Sequence, residues 1–330
     1  MRPIPFFALL VAGLLLMPAC QTASSPGTGT TTASASAFDA PEFGDAFWAH
    51  WGDGQAELSG YDLTFARYRE QRRGTAVAIF VTETFSNELR VKADPGVHPA
   101  SDEVPVMKLN LVEDFPTGIY DYNLMTSSFL ALAPAGGLPA GSPTKVSFSR
   151  QEWCGHVYSQ LLFHPNVIRQ TTHSYFDNEA DWQGEVSYPP DGIAEDALWF
   201  WARGMAAPLL EPGGSEKVKL LPSLQNSRVI HEELAWRAAT LSRSGDTETV
   251  TVPAGSFTVE RWSAAVEDGP TRTFYVEADS PHRIIKWETT DGELAEMLGS
   301  VREPYWKMNG NEYLSAVEGL GLSPRPLRTP

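Results

Sequence analysis

Cysteine and basic residues are both scarce in this 330-residue sequence. It contains 2 cysteines, and 25 lysines and arginines stand against 41 aspartates and glutamates, for a formal net charge of -16. A protein that binds nucleic acid, or that adheres to anionic lipid through charge, needs basic patches. The acidic balance therefore argues against both kinds of partner.

Long apolar runs are also missing, apart from one at the start. Arg2 precedes the run from Phe6 to Met17, which is too short to span a bilayer, and Ala19 and Cys20 follow it. This arrangement resembles a bacterial lipoprotein signal. The resemblance implies that residues 1–19 are removed and that Cys20 becomes the acylated first residue, carrying palmitate or a similar chain. The alternative is an ordinary secretory signal with an incidental cysteine.

The residue after Cys20 bears on the destination. An aspartate there would suggest retention at the inner membrane, whereas this chain has Gln21. In a Gram-negative cell the resemblance therefore implies attachment to the outer membrane through the acyl chains, with the body facing the periplasm rather than the cell exterior. With Cys20 acylated, Cys154 has no partner for an intramolecular disulfide, so we expect a fold without disulfides.

Composition divides the remaining chain into a tether and a body. Residues 20–37 hold the acylated cysteine and a segment without charge or large apolar side chains, which cannot bury enough surface to offset its ordering entropy. Residues 38–330 have the composition of a single β-rich body. Proline and glycine cluster at residues 189–190 and 212–214, so a division into two halves is expected near residues 189–215.

Most of the body alternates apolar and polar residues with a period of two, as half-buried strands do. Residues 61–68 and 75–84 are expected to form a hairpin around a turn at residues 72–74, and four further strands are expected between residues 248 and 288. The best helix candidates are residues 194–205 and 310–320. The sequence predicts an all-β or β-dominated fold: a large curved antiparallel sheet or half-open barrel with one or two packed helices.

Several sequence blocks are similar to an uncharacterised family of bacterial envelope lipoproteins. The specific block is Gln-Glu-Trp-Cys-Gly-His-Val-Tyr at residues 151–158, and supporting blocks lie at residues 60–70, 74–77, 106–110, 117–120, 174–181 and 304–306. Members sometimes carry the label of septum formation inhibitor, which belongs to cytoplasmic nucleotide pyrophosphatases with an α/β fold. This chain has a lipoprotein leader and no matching phosphate-binding loop. The resemblance therefore implies an envelope lipoprotein and no particular activity.

A weaker likeness begins at residues 252–261, Val-Pro-Ala-Gly-Ser-Phe-Thr-Val-Glu-Arg. This segment and the strands after it are similar in pattern to periplasmic lipoprotein-localisation carriers, in which a curved antiparallel sheet cradles a lipid. The likeness implies a lipid or another apolar ligand as a partner. Fold likeness alone does not assign that function.

One stretch concentrates side chains capable of chemistry. If residues 151–163 and 168–177 are strands joined by a four-residue loop, Phe163 pairs with Ile168. Continuing this register opposes Tyr158 to His173, His156 to Tyr175 and Cys154 to Asp177. One face of the sheet then collects the candidate site residues Glu152, Cys154, His156, Tyr158, His173, Tyr175 and Asp177, with Glu179 and Asp181 just beyond.

Three interpretations of this face stay open. In a catalytic site, Cys154 is the thiolate nucleophile, His156 its base, and Asp177 or Glu152 orients the imidazole. In a site for zinc or copper, the ligands come from His156, His173, Cys154 and Asp177. In a structural network, Cys154 packs as a small apolar side chain while the histidines and acids satisfy one another.

Taken together, these features favour a non-enzymatic protein without a cofactor. We expect an outer-membrane-anchored lipoprotein whose body binds an apolar or amphipathic envelope molecule or acts as an envelope scaffold. The alternatives are an envelope hydrolase or thiol-dependent enzyme that uses Cys154 and His156, and a metal-binding lipoprotein.

Overall fold

The structure is a computed structural model that describes residues 36–325. The expected signal peptide, Cys20 and nearly all of the expected tether lie outside the described residues. The strands are β1 (Ala56–Arg67), β2 (Glu70–Ser86), β3 (Val91–Lys92), β4 (Glu103–Thr117), β5 (Tyr120–Ala131), β6 (Pro143–Glu152), β7 (Gly155–His164), β8 (Val167–Ser174), β9 (Trp182–Ser187), β10 (Gly192–Ala194), β11 (Ser215–Leu221), β12 (Arg237–Arg243), β13 (Glu248–Val252), β14 (Gly255–Val266), β15 (Thr271–Glu277), β16 (Ile284–Thr289) and β17 (Leu294–Glu303). The helices are α1 (Asp45–Trp51), α2 (Leu198–Trp201) and α3 (Leu224–Ile230), with 3-10 helices at Glu195–Ala197, Tyr305–Lys307 and Asn311–Leu320.

All seventeen of these strands belong to one sheet. β1 pairs with β2 on one side and with β17 on the other, so N-terminal and C-terminal strands are continuous. From β2 the order runs through β4, β5, β6, β7 and β8 to β9, and from β17 through β16, β15, β14, β12 and β11 to β10. All pairings are antiparallel except that of β10 with β11. Within residues 36–325 no pairing joins the edge strands β9 and β10. The fold is therefore β-dominated, with a large, open sheet, as the alternating pattern predicted.

The sheet curves around one main core. Buried side chains as far apart in strand order as Ile168 of β8 and Trp262 of β14 belong to a single hydrophobic cluster. Across the join of the two halves, the rings of Tyr61 in β1 and Trp287 in β16 meet edge to face, with 4.6 Å between their centroids. A flat sheet of this width cannot bring such distant strands to one core, so the curvature is what buries the inner face.

The helix expected at residues 194–205 is much shorter and fully buried. β10 ends at Ala194, a 3-10 turn follows, and only Leu198–Trp201 is α-helical. All four residues of α2 are buried, and Trp199 packs edge-on against Trp287 with 4.7 Å between ring centroids. An element that is apolar on every side belongs to the core rather than to a surface. The four residues of α2 therefore belong to the main core.

Two further helical segments differ from expectation. Residues 310–320 form a 3-10 helix at Asn311–Leu320, which packs against β1 and β17. α3 was not anticipated from the sequence, and it begins at a Ser223 cap whose hydroxyl accepts the Asn226 N–H at 3.1 Å. No helix within the described part of the chain has the length and apolar character needed to cross a bilayer.

The first hairpin turns at Tyr68 and Arg69, and the expected turn at residues 72–74 is wrong. Both turn residues have positive φ, 56° and 62°, as a two-residue type I′ turn requires. Gly74 lies inside β2, where an added Cβ would sit 2.0 Å from the Asp114 carbonyl oxygen of β4. The glycine therefore permits a close approach of two backbones, a role that composition does not distinguish from a turn.

Candidate functional site

The strand expected across residues 151–163 is in fact a hairpin. β6 ends at Glu152 and β7 begins at Gly155, so Trp153 and Cys154 form a two-residue turn. This turn has no Asn-Gly or Asp-Gly pair to signal it in the sequence. The expected opposition of Cys154 to Asp177 therefore does not form, because the pairing of β7 with β8 stops at Val157.

The predicted register is confirmed where β7 and β8 pair. Phe163 pairs with Ile168 and Tyr158 with His173. The expected opposition of His156 to Tyr175 lies just beyond this pairing, where the Tyr175 N–H donates to the His156 carbonyl at 3.1 Å. As a result, a shallow groove of about 450 Å³ brings together four of the predicted side chains and one neighbour, namely His156, Tyr158, His173, Tyr175 and Asp181. His173 Nδ1 lies 2.8 Å from Asp181 Oδ1, but both side chains are more than half exposed. A contact this exposed contributes little stability.

Cys154, Glu152 and Asp177 lie outside this groove. Cys154 is exposed, so the expectation that it packs as a small apolar side chain is wrong, since a tight turn leaves its thiol outside the core. Glu152 is buried, and its Oε2 accepts the Cys154 N–H at 2.6 Å. Hydrogen bonding to the Glu152 carboxylate raises the pKa of the Cys154 thiol, with desolvation and the carboxylate charge acting in the same direction. The reactive thiolate is therefore disfavoured.

The described residues do not assemble a metal site. In residues 36–325 no group of three or more His, Cys, Asp or Glu side chains is arranged to hold a metal ion. Asp177, one expected ligand, accepts the neighbouring Asn178 N–H at 3.1 Å within its own loop. His156, His173 and Asp181 line the same groove, but they are not arranged to hold one metal ion.

A different site lies inside the sheet. α3 packs against β5, β6 and β7, and beside it a cavity of about 180 Å³ runs from the exposed Glu232 and Glu233 inward to Arg272. An adjoining space of about 30 Å³ continues to Glu113 and Asp196. The two spaces share four lining residues, Glu195, Asn226, Arg272 and Glu293. Together they form the α3 cavity.

Arg272 pairs with two carboxylates along one wall of the α3 cavity. Its Nη1 and Nη2 donate to the two oxygens of Glu293 at 3.0 and 3.1 Å, and its Nε lies 3.5 Å from Glu195 Oε1. Burial by itself lowers the pKa of Arg272, but the Glu293 and Glu195 charges outweigh it and raise that pKa. Arg272 therefore stays charged, with its charge already compensated.

Two acids at the inner end have raised pKa values. The Glu113 side chain is 1% exposed, and burial raises its pKa to about 8, with the Glu293 charge adding to the rise. Asp196 is also buried; it accepts the Leu224 N–H at 3.1 Å, and burial raises its pKa to about 7. Perturbed acids in a cleft are typical of functional sites.

One sequence feature could have identified Glu113 as a candidate. It follows Leu109 and Leu111 at alternate positions of β4, and all three side chains are buried on the same face. An acid at an inward position of a period-two strand is the signal that identifies it. Asp196 and Arg272 carry no such signal, because their neighbours in the α3 cavity come from distant parts of the chain.

The comparisons with known proteins assign no family. No family model matches this chain, and no curated protein matches it. Among solved structures, a beta-barrel-like protein of the domain of unknown function DUF1849 from Brucella abortus is similar, with a TM-score of 0.43 and 10% sequence identity. That match covers 75% of this chain and 97% of the Brucella chain. The assignment of a β-dominated fold rests on the strand pairing of this chain itself.

Proposed function

We propose that this protein is an outer-membrane-anchored lipoprotein that catalyses no reaction and binds a small amphipathic molecule in the α3 cavity. The observation that carries the proposal is Glu113, a buried carboxyl without a hydrogen-bond partner of good geometry among the described residues, at the end of a partly apolar cavity. Apolar walls with a few convergent polar groups are the usual form of a small-molecule site. Here the apolar walls include Leu198, Leu220, Ala264 and Val266.

The volume of the α3 cavity restricts the size of the ligand. A cavity of about 150 Å³ accommodates benzene, so about 180 Å³ suits a molecule on the order of 100–200 Da. A whole phospholipid is far larger. The cavity volume therefore supports a small amphipathic ligand rather than a lipid with long acyl chains.

The anchoring part of the proposal is supported by the leader and the tether. The apolar run ending at Cys20 and the uncharged segment after it are features of a tethered lipoprotein. Labelling of the full chain with radioactive palmitate tests this part. We expect label in the wild type and none in Cys20→Ser, and equal labelling of the two would contradict the assignment.

The thiol-enzyme alternative has less support. A cysteine nucleophile needs a lowered thiol pKa, and the Glu152 carboxylate shifts that of Cys154 upward. In that hypothesis His156 is the base. Neither Cys154 nor His156 lines the α3 cavity.

Native mass spectrometry of residues 38–330, exported to the periplasm without Cys20, tests ligand binding. We expect an added mass that disappears on denaturation. Val266→Trp, at a half-buried wall position, fills the α3 cavity and should remove the added mass. Ala265→Trp, on the opposite face of β14, is the matched control and should retain it. Equal native and denatured masses, or an added mass that survives in Val266→Trp, would refute binding in this cavity.

A further inference from the structure

Acidic side chains outnumber basic ones around the α3 cavity. Seven acidic residues and two arginines line its two parts. Both arginines already have carboxylate partners, since Arg272 contacts Glu293 and Glu195, and Arg237 Nη2 lies 3.1 Å from Glu232 Oε2. The remaining acids have no compensating base in the lining. An excess of one charge in a cleft attracts a ligand of the opposite charge.

Glu113 is an independent observation at the inner end. Its side chain is 1% exposed, and within residues 36–325 neither carboxyl oxygen has a hydrogen-bond partner of good geometry. The Gln225 side chain lies close enough to lower the pKa of Glu113, but burial outweighs that effect. A buried polar group without hydrogen bonds is costly, and a ligand that donates to it removes that cost. An ammonium group brings three donors and a positive charge, and its bond to a carboxylate is stronger than that of a neutral hydroxyl.

We propose that the ligand of the α3 cavity is a small organic amine, an ammonium group on an apolar body of about eight non-hydrogen atoms. The inference rests on the proposed function and specifies its ligand class. The ammonium lies against Glu113, and the apolar body lies against Leu198, Leu220 and Ala264. Glu232 and Glu233 at the mouth attract the cation and repel anions.

Binding of an ammonium group is coupled to proton release from Glu113. The titratable groups around it are Glu293, Arg272, Glu195 and Asp196 in the cavity and Asp114 on its own strand. With a pKa of about 8, about nine-tenths of Glu113 is protonated at pH 7 and about half at pH 8. Because the ammonium favours the carboxylate, binding should release up to about 0.9 proton at pH 7 and about 0.5 at pH 8.

Calorimetric titration of residues 38–330 with three probes of similar size tests the ligand class. The probes are benzylamine, benzyl alcohol and benzoate, each titrated in two buffers of different ionisation enthalpy so that released protons are counted. We expect benzylamine to bind about tenfold more tightly than benzyl alcohol, as a charged hydrogen bond implies, and benzoate not to bind. Phosphoethanolamine distinguishes a free amine from a lipid headgroup, and we expect it to bind weakly because its phosphate faces Glu232 and Glu233.

Variants assign the effect to Glu113. Glu113→Gln should weaken benzylamine about tenfold and abolish most of the proton release, while benzyl alcohol changes less than about twofold. Glu103→Gln, an exposed acid on the same strand, is the matched control and should behave like the wild type. If Glu113→Gln does not fold, the fall in wild-type proton release from pH 7 to pH 8 tests the same linkage.

The outcomes separate this inference from the proposed function. If benzyl alcohol binds as tightly as benzylamine and Val266→Trp blocks both, the amine class is refuted and a small-molecule cavity stands. If no probe binds, or Val266→Trp leaves binding unchanged, both proposals are refuted. Benzylamine binding without proton release at pH 7 would overturn the contact with Glu113.

Discussion

The Glu113 carboxyl links the stability of this protein to pH. Its pKa is raised to about 8 in the folded protein, whereas the ordinary value is 4.5. Below pH 4.5 both folded and unfolded chains carry the proton, so the group favours neither state. Between pH 4.5 and 8 the unfolded chain releases the proton, which lowers its free energy, while the folded protein keeps the proton. The free energy of unfolding therefore falls across this range and levels off above about pH 8.

We predict that Glu113→Gln flattens the pH dependence of stability. In the wild type the free energy of unfolding should fall by roughly 2–4 kcal/mol more between pH 5 and pH 9 than in the variant. Asp196, whose pKa is raised in the same direction, leaves a smaller slope in the variant. Urea denaturation at pH 5, 7 and 9 measures the effect, with Glu103→Gln as control. Identical slopes for the wild type and Glu113→Gln would show that Glu113 is ionised when folded.

Cys154 gives a second prediction at the level of one side chain. Its thiol is exposed, but the Glu152 carboxylate raises its pKa. We expect Cys154 to react more slowly with iodoacetamide at pH 7 than a free thiol of pKa ~8.5, and Glu152→Gln to speed the reaction several-fold. Mass spectrometry of timed samples measures both rates. A wild type faster than free thiol would restore the nucleophile hypothesis.

At the level of one element, α2 is part of the main core. Its four residues are buried, and Trp201 is 0% exposed. The Trp201 ring meets Trp262 edge to face with 5.0 Å between centroids, and its Nε1 donates to the Pro208 carbonyl at 3.0 Å. A helix of four residues has no stability of its own in water. α2 therefore exists because the surrounding strands pack on it.

We predict that Trp201→Ala lowers the free energy of unfolding by about 3–5 kcal/mol, because it leaves a large cavity in the core. Trp306→Ala is the control, since Trp306 is 45% exposed and its loss should cost no more than about 0.5 kcal/mol. Urea denaturation of the two variants gives the comparison. Equal costs would mean that α2 is not part of the cooperative core.

Across the whole molecule, a buried ion pair holds the segment after α2 to the sheet. Arg203 Nη1 and Nη2 donate to Glu57 Oε1 and Oε2 at 2.8 and 3.0 Å, and the two side chains are almost wholly buried. Arg203 also donates to the Pro281 carbonyl at 2.9 Å. Because Glu57 lies on β1, where the two halves of the sheet meet, this contact ties the interior segment to both halves.

We predict that Arg203→Met destabilises the protein by about 3–5 kcal/mol, because it leaves the Glu57 carboxylate buried without a partner. The double variant Glu57→Gln with Arg203→Met should recover part of that loss. Arg169→Met is the control, because its pair with Glu185 is exposed and contributes less than about 1 kcal/mol. Urea denaturation measures all three. A cost for Arg203→Met as small as for Arg169→Met would contradict the role of this pair.

Local sequence patterns were enough to predict the strands and one short hairpin. Alternating side chains predict strands because a strand places neighbours on opposite faces, and this sufficed for the β-dominated class. The pairing of Phe163 with Ile168 was also predictable, since a short loop sets the register of a hairpin. Turns at residues 68–69 and 153–154 escaped prediction, because neither contains the usual glycine or asparagine.

The α3 cavity follows from packing rather than from any local pattern. Glu113 lies on β4, Asp196 precedes α2, and Arg272 lies on β15, so their meeting depends on how the sheet curves around its interior helices. The raised pKa values of the two acids come from burial among residues distant in sequence. The period of a strand shows which face of the sheet a side chain lies on. The protonation state of an acid in a cavity depends on which distant elements pack around it, and only the tertiary structure shows that.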